Sequence, residues 1–217
     1  MTALAGWSRR DMADRVAADI PEGWAVNLGI GLPTLIANFV PIEREVMFHS
    51  ENGILGVGPL PPAGQENPWL INAGKQPITL RPGAAIVGQA DSFAIIRGGH
   101  LDLCVLGGYQ VGANGDLANW STGRAGEAPA VGGAMDLGAG AKRVWVLMEH
   151  AARDGTPRLV ERCTYPLTAL GTVSRVYTDI AVIDVTPDGF VLREAAPGIS
   201  IEQIAARMGA PLSPIRD

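Results

Sequence analysis

A lone carboxylate set among glycines is the place in this chain where chemistry could reside. Glu51 stands in Ser50-Glu51-Asn52-Gly53, directly after a strand-like run from Glu45 to His49 and just before Gly56 and Gly58. The carboxyl end of a strand is where open α/β sheets bind ligands. The glycines leave bare backbone that a ligand can approach closely. A carboxylate so placed can act as a general base, a metal ligand or a nucleophile. No metal site is expected, because no second carboxylate or histidine lies at ligand spacing and His49, His100 and His150 follow no metal pattern. A structural alternative stays open: Glu51 caps a backbone group or pairs with an arginine.

The second candidate is Gly132-Gly133, which precedes a predicted helix. Backbone N–H groups at a helix start stabilise negative charge, so this pair could form an oxyanion hole. A tight turn needing positive φ is the other reading. Gly29-Ile30-Gly31 invites a nucleotide site, but Thr34 occupies the place of the third glycine of the dinucleotide fingerprint. A turn between strand and helix is the simpler reading. Ser50 has no His/Asp partner for a hydrolase triad, and His49 reads as a hydrogen-bonded strand residue.

These groups must be held by the elements around them. Ser8 and Asp11 form a capping-box pattern ahead of a stripe of Met12, Ala13, Val16, Ala17 and Ile20 at helical spacing. Strands are predicted over 24–28, 45–49, 101–106, 143–148 and 173–177. Helices are predicted from Pro33 to Phe39, over 91–96, over 132–141 and over 200–208, the last with Ser200 and Gln203 as a capping box. Residues 56–69 read as a Gly/Pro-rich surface loop. Asn114-Gly115 signals a two-residue hairpin, and Pro187-Asp188-Gly189 joins a late one. Strands that alternate with helices and are apolar on both faces predict one α/β domain over 1–217, with a mainly parallel central sheet flanked by helices and added hairpins.

Composition removes other classes. Of 217 residues, 47% are hydrophobic and only 18% charged, against about 25% charged in a typical chain. A disordered chain is excluded, and a surface partly covered by a partner subunit is expected. With a net charge of −5 and no basic stretch interleaved with aromatics, nucleic acid is not an expected partner. No apolar run is long enough to span a membrane, and Met1 to Arg10 lacks the features of a signal peptide. Cys104 and Cys163, far apart in sequence, fit a reducing cytoplasm.

Several ordered segments resemble the beta subunit of the class I 3-oxoacid CoA-transferases. They are Asn27-Leu28-Gly29-Ile30-Gly31-Leu32-Pro33-Thr34, the run from Ser50 to Pro59, Asn72-Ala73-Gly74-Lys75-Gln76, Ala90 to Phe93, Arg97 to Asp102, Gly132 to Leu137 and Val185 to Gly189. Within that family, Gly115 to Gly123, Pro129 to Gly133 and Cys163 to Thr168 look most like the 3-oxoadipate (β-ketoadipate) branch, from the catabolism of aromatic compounds.

The resemblance implies the α/β CoA-transferase fold, shared with some sugar-phosphate isomerases. It implies a separately encoded alpha subunit, in a heterodimer or heterotetramer. It also implies CoA transfer from succinyl-CoA to a 3-oxoacid by a ping-pong route through a glutamyl-CoA thioester on Glu51. Asn52 and Gly53 would shape the turn that presents it, and Gly132 and Gly133 would face the oxyanion. CoA is then a cosubstrate, with no cofactor bound permanently and no metal. A distal substrate carboxylate wants a cation, and Arg124 is the candidate. The same chemistry on acetoacetate, thioester hydrolysis, and a non-catalytic subunit are the rival expectations.

Overall fold

The computed structural model describes residues 6–124, 126 and 129–214. The first residues of the stretch read for a signal peptide, 1–5, lie outside it. Helix α1 (Arg9–Asp19) starts at Ser8 with the predicted capping box: Ser8 Oγ accepts from Asp11 N–H, and the Asp11 carboxylate accepts from Ser8 N–H. Strand β1 (Ala25–Leu28) is followed by the segment Leu32–Asn38, then β2 (Met47–Ser50), β3 (Ile54–Val57) and β4 (Leu80–Ile86). Helix α2 (Gln89–Arg97) leads to β5 (Leu103–Leu106), β6 (Gln110–Gly112) and β7 (Leu117–Ala118). After α3 (Ala134–Gly140) come β8 (Val144–Leu147), β9 (Leu159–Val160), β10 (Val173–Tyr177), β11 (Ala181–Thr186) and β12 (Gly189–Ala195). The chain then closes with α4 (Ile201–Ala205) and β13 (Leu212–Ser213). As predicted, Ser200 and Gln203 form the capping box of α4, although this helix is shorter than its sequence pattern.

Among the described residues a ten-stranded sheet runs β13-β12-β11-β10-β8-β5-β1-β2-β3-β4. Its centre, β10 to β2, is parallel throughout. Antiparallel hairpins extend it on both sides, β11 and β12 beyond β10, β3 and β4 beyond β2. Successive residues of the central strands feed opposite cores. Cys104 and Leu106 face one cluster, with Val144 and Val146; Leu103 and Val105 face the other, with Trp145 and Leu147. The second face is covered by Met12, Ala13, Val16 and Ala17 of α1 and by Ile36, the first by Ile96, Leu137 and Ile204. Burial on both faces is why these strands read as unbroken apolar runs. A separate three-stranded sheet, β7-β6-β9, packs its Val111, Leu117 and Leu159 into the first cluster.

Three local expectations are corrected. Leu32–Asn38 is a 3-10 helix, with i→i+3 bonds such as Thr34 N–H to Gly31 O and Thr34 Oγ1 donating to the same carbonyl. The Gly/Pro-rich loop is flanked by β3 and β4, which its composition hides. β4 carries Pro82 and a left-handed Gly83 and is mostly exposed, as suits an edge strand. At Asn114-Gly115 only the glycine takes positive φ, so a type I′ turn is not formed. Instead Gly115 N–H bonds Gly112 O, Gly112 N–H bonds Asp116 O, and the loop has three residues.

Helix α3 lies so close to α2 that a Cβ on Gly140 would overlap the carbonyl oxygen of Ile96. Gly140→Ala should therefore lower the unfolding free energy by about 1–3 kcal/mol through overpacking. Urea denaturation of the variant beside wild type measures this, and unchanged stability would mean that α3 is free to shift.

Candidate active site

The carboxyl ends of β1, β2, β5 and β8 open into one cleft of about 480 Å³, a volume usual for small-molecule sites. Its lining includes Gly29, Glu51, Gly107, Gly108, Gly132 and Gly133. This is the sheet edge at which the sequence locates ligand chemistry. Glu51 and the Gly132-Gly133 pair, far apart in the chain, meet here.

Glu51 leaves β2 in a turn in which Gly53 N–H donates to Ser50 O. Gly53 has φ +107, and a Cβ there would overlap Val87 O, so both conformation and space demand glycine. The Asn52 side chain donates to Ile71 O, and Ser50 Oγ accepts from Ala73 N–H, which ties the turn to the following loop. Across the cleft, a Cβ on Gly133 would overlap Glu51 Oε2. Gly132 has φ +58 with nothing within 4 Å of where its Cβ would lie. The turn role of Gly132 is thus real, and it leaves that stretch of backbone bare.

The Glu51 carboxylate is half-buried. Among the described residues it makes no ion pair and is in no hydrogen bond, so the capping and arginine-pairing alternatives find no partner. Burial, and then the charge of Asp136, push its pKa above the ordinary 4.5. Asp136 is itself held by Arg97, Nε to Oδ1 at 2.7 Å.

Behind Glu51 runs a buried polar chain. His49 Nδ1 is 2.9 Å from Asn27 Nδ2, and His49 Nε2 is 2.8 Å from Ser92 Oγ. Ser92 Oγ in turn donates to Ser50 O at 3.4 Å. Only one tautomer satisfies all of them: the Asn27 amide donates to Nδ1, and Nε2–H donates to Ser92. Burial pushes the His49 pKa down to about 4, so the ring is neutral at pH 7. It is a hydrogen-bonded strand residue, as its sequence setting indicates. Cys104 Sγ lies 3.9 Å from Asn27 Oδ1, and burial, with the Glu51 charge second, raises its thiol pKa.

Arg124 is exposed and not among the cleft-lining residues; its charge acts on Asp154. Side chains that sequence reasoning did not single out line the cleft instead: Arg9, Tyr109, Asn119, Trp120, Glu149 and Arg158. Gly107-Gly108, directly after the apolar β5, is a sequence signal that could have located part of this lining. Among the described residues no cluster of His, Cys, Asp or Glu could hold a metal ion. No helix among them is long and apolar enough to cross a membrane.

A parallel central sheet with its cleft at the strand ends, presenting a half-buried carboxylate to bare glycine backbone, defines a class, and the family comparison names it. The coenzyme A transferase family model matches residues 9–207, and this chain belongs to that family. It is 54% identical to the beta subunit of the 3-oxoadipate CoA-transferase of Pseudomonas putida, over 98% of this chain and 99% of that one. It is 52% identical to the corresponding subunit of the same enzyme in Acinetobacter baylyi, over 94% of each. A crystal structure of an acyl-CoA transferase apoenzyme from Escherichia coli O157:H7 matches its fold with a TM-score of 0.75 at 21% identity. That alignment covers 99% of this chain and 43% of the other, and it speaks to fold alone.

Two outcomes are expected. Because the folded pKa of Glu51 is raised, its native state binds the proton more tightly than the unfolded chain does. Its contribution to stability is present below the ordinary 4.5 and is lost as pH rises through the folded value. Glu51→Gln should therefore exceed wild type in stability at pH 7, with the gap closing below about pH 4.5. A gap that persists undiminished at low pH contradicts this. Ser92→Ala orphans the buried His49 Nε2–H and should cost about 1–3 kcal/mol, read from urea midpoints.

Proposed function

We propose that this chain is the beta subunit of a 3-oxoadipate CoA-transferase, which with an alpha subunit moves CoA from succinyl-CoA to 3-oxoadipate. The observation that carries the reading is Glu51: a half-buried carboxylate without a protein partner among the described residues, in the cleft and against Gly133. The relatives named above support the substrate and the paired subunit. A reducing cytoplasm suits the two free cysteines.

In this reading a Glu51 oxygen attacks the thioester carbonyl carbon of succinyl-CoA. The C–S bond breaks and CoA leaves as thiolate, giving a succinyl-glutamyl anhydride. The thiolate attacks the Glu51 carbonyl carbon, succinate leaves as carboxylate, and a glutamyl-CoA thioester remains. The 3-oxoadipate carboxylate nearest its keto group then attacks that thioester and expels the thiolate. The thiolate attacks the oxoadipyl carbonyl, which releases 3-oxoadipyl-CoA and free Glu51. No net proton is consumed. The covalent route divides one difficult transfer into easier steps. No permanently bound cofactor enters.

A carboxylate is a weak nucleophile, and partial desolvation strengthens it by removing solvating water. Each tetrahedral intermediate places negative charge on a former carbonyl oxygen. The N–H groups of Gly132 and Gly133 are the proposed donors to it, with the alpha subunit supplying others. Asn52 and Gly53 hold the turn that aims Glu51.

The test is the intact mass of the co-expressed two-subunit complex after brief exposure to succinyl-CoA. A CoA-sized increase on this chain is expected, and none in Glu51→Ala, which should also lose transfer activity. Transfer without an adduct, or full activity in Glu51→Ala, would overturn the assignment.

A further inference from the structure

The chemistry proposed above moves two acids through one cleft, succinate and 3-oxoadipate, and each carries a second carboxylate away from the reacting one. A carboxylate taken out of water is stabilised by a cation or several hydrogen bonds. Among the described residues, the cleft lining includes the arginines Arg9 and Arg158. Arg9 is mostly exposed and reaches toward Glu149, itself part of the lining, Nε to Oε1 at 3.4 Å. Arg158 is half-buried, and among the described residues its guanidinium makes no ion pair and no hydrogen bond.

The backbone of Arg158 is fixed. Its carbonyl accepts from Val111 N–H at 2.9 Å, at the start of the pairing between β9 and β6. Arg158 therefore adjoins the small sheet, as do Tyr109 and Asn119, which flank its strands, and Trp120 beside them. This sheet forms one wall of the cleft, and the Gly29, Glu51 and Gly133 surface forms another. A guanidinium left without a carboxylate, on a rigid wall of a site that holds the proposed nucleophile, is placed to accept an anion. The planar fork of arginine matches a carboxylate in bidentate fashion.

We propose that Arg158 binds the distal carboxylate of the acid substrate and so selects dicarboxylic over monocarboxylic 3-oxoacids. The inference rests on the CoA-transfer reading above and adds to it the group that recognises the acid. In a ping-pong enzyme one acid pocket serves both half-reactions, so the same cation meets succinyl-CoA in the first and 3-oxoadipate in the second.

The experiment compares wild type, Arg158→Gln, Arg158→Lys and Arg124→Ala in the assembled two-subunit complex. It measures kcat/KM for 3-oxoadipate against acetoacetate as acceptors, and for succinyl-CoA against acetoacetyl-CoA as donors. Loss of a charge-assisted hydrogen bond predicts that Arg158→Gln lowers both ratios, substrate with a distal carboxylate over substrate without one, by about 10- to 100-fold. Arg158→Lys, which keeps the charge but not the fork, should retain more of each ratio than Gln does. A merely structural role would depress all four substrates in parallel and leave the ratios unchanged, and that result overturns the inference. So does a ratio change found only in Arg124→Ala. If wild type itself fails to use either dicarboxylate, the substrate reading falls and the inference with it. Transfer to dicarboxylates with unmoved ratios in both Arg158 variants sinks the inference alone.

Discussion

No side chain fits between Glu51 and the start of α3, and the arrangement of the site follows from that restriction. The seven-residue helix is seated between glycines at both ends. Gly133 lies against the Glu51 carboxylate, and Gly140 against the Ile96 carbonyl of α2. A methyl group at either position would push α3 outward and open the cleft to water. The Arg97–Asp136 pair ties α3 to α2. The result is a carboxylate that stays partly desolvated and unpaired among the described residues, a costly state in a folded protein. It is also the state that a carboxylate nucleophile requires.

The rigidity behind Glu51 has a different origin. Asn27 and His49 sit opposite each other in the parallel pairing of β1 and β2, and the His49–Ser92 contact joins that pair to α2. Every donor in this chain of bonds points the same way and ends on the carbonyl of Ser50, the residue before Glu51. A neutral imidazole suits the role, since a charged ring would have to donate from both nitrogens and would turn Asn27 into an acceptor. The low pKa of His49 keeps this arrangement intact throughout the neutral range.

Much of this was legible in the sequence, for identifiable reasons. α1 announces itself through a clean stripe and a capping box. The central strands do so because both their faces are buried. Glu51 stands out because bare glycines follow it, and Gly132-Gly133 because it opens a helix. What was hidden depended on packing. β4 carries Pro82 and Gly83, and β9 and β13 are two residues each, too short for any period to show. Arg124 is exposed, whereas Arg158, directly before β9, lines the cleft because β9 pairs with β6. The dipeptide Asn114-Gly115 marked a turn correctly but not its length, because Asp116 closes the loop through its carbonyl.

The cleft draws its walls from two sheets that share a hydrophobic core but, among the described residues, no strand pairing. The large sheet carries Glu51, and the small one carries Tyr109, Trp120 and Arg158. Substitutions in the small sheet can therefore accumulate without altering the register that aims the carboxylate. A lineage could change the acid it accepts by drifting in β6, β7 and β9 while the reaction itself is inherited intact. Divergence among descendants of such a protein should be uneven, slow around Glu51 and fast along one wall.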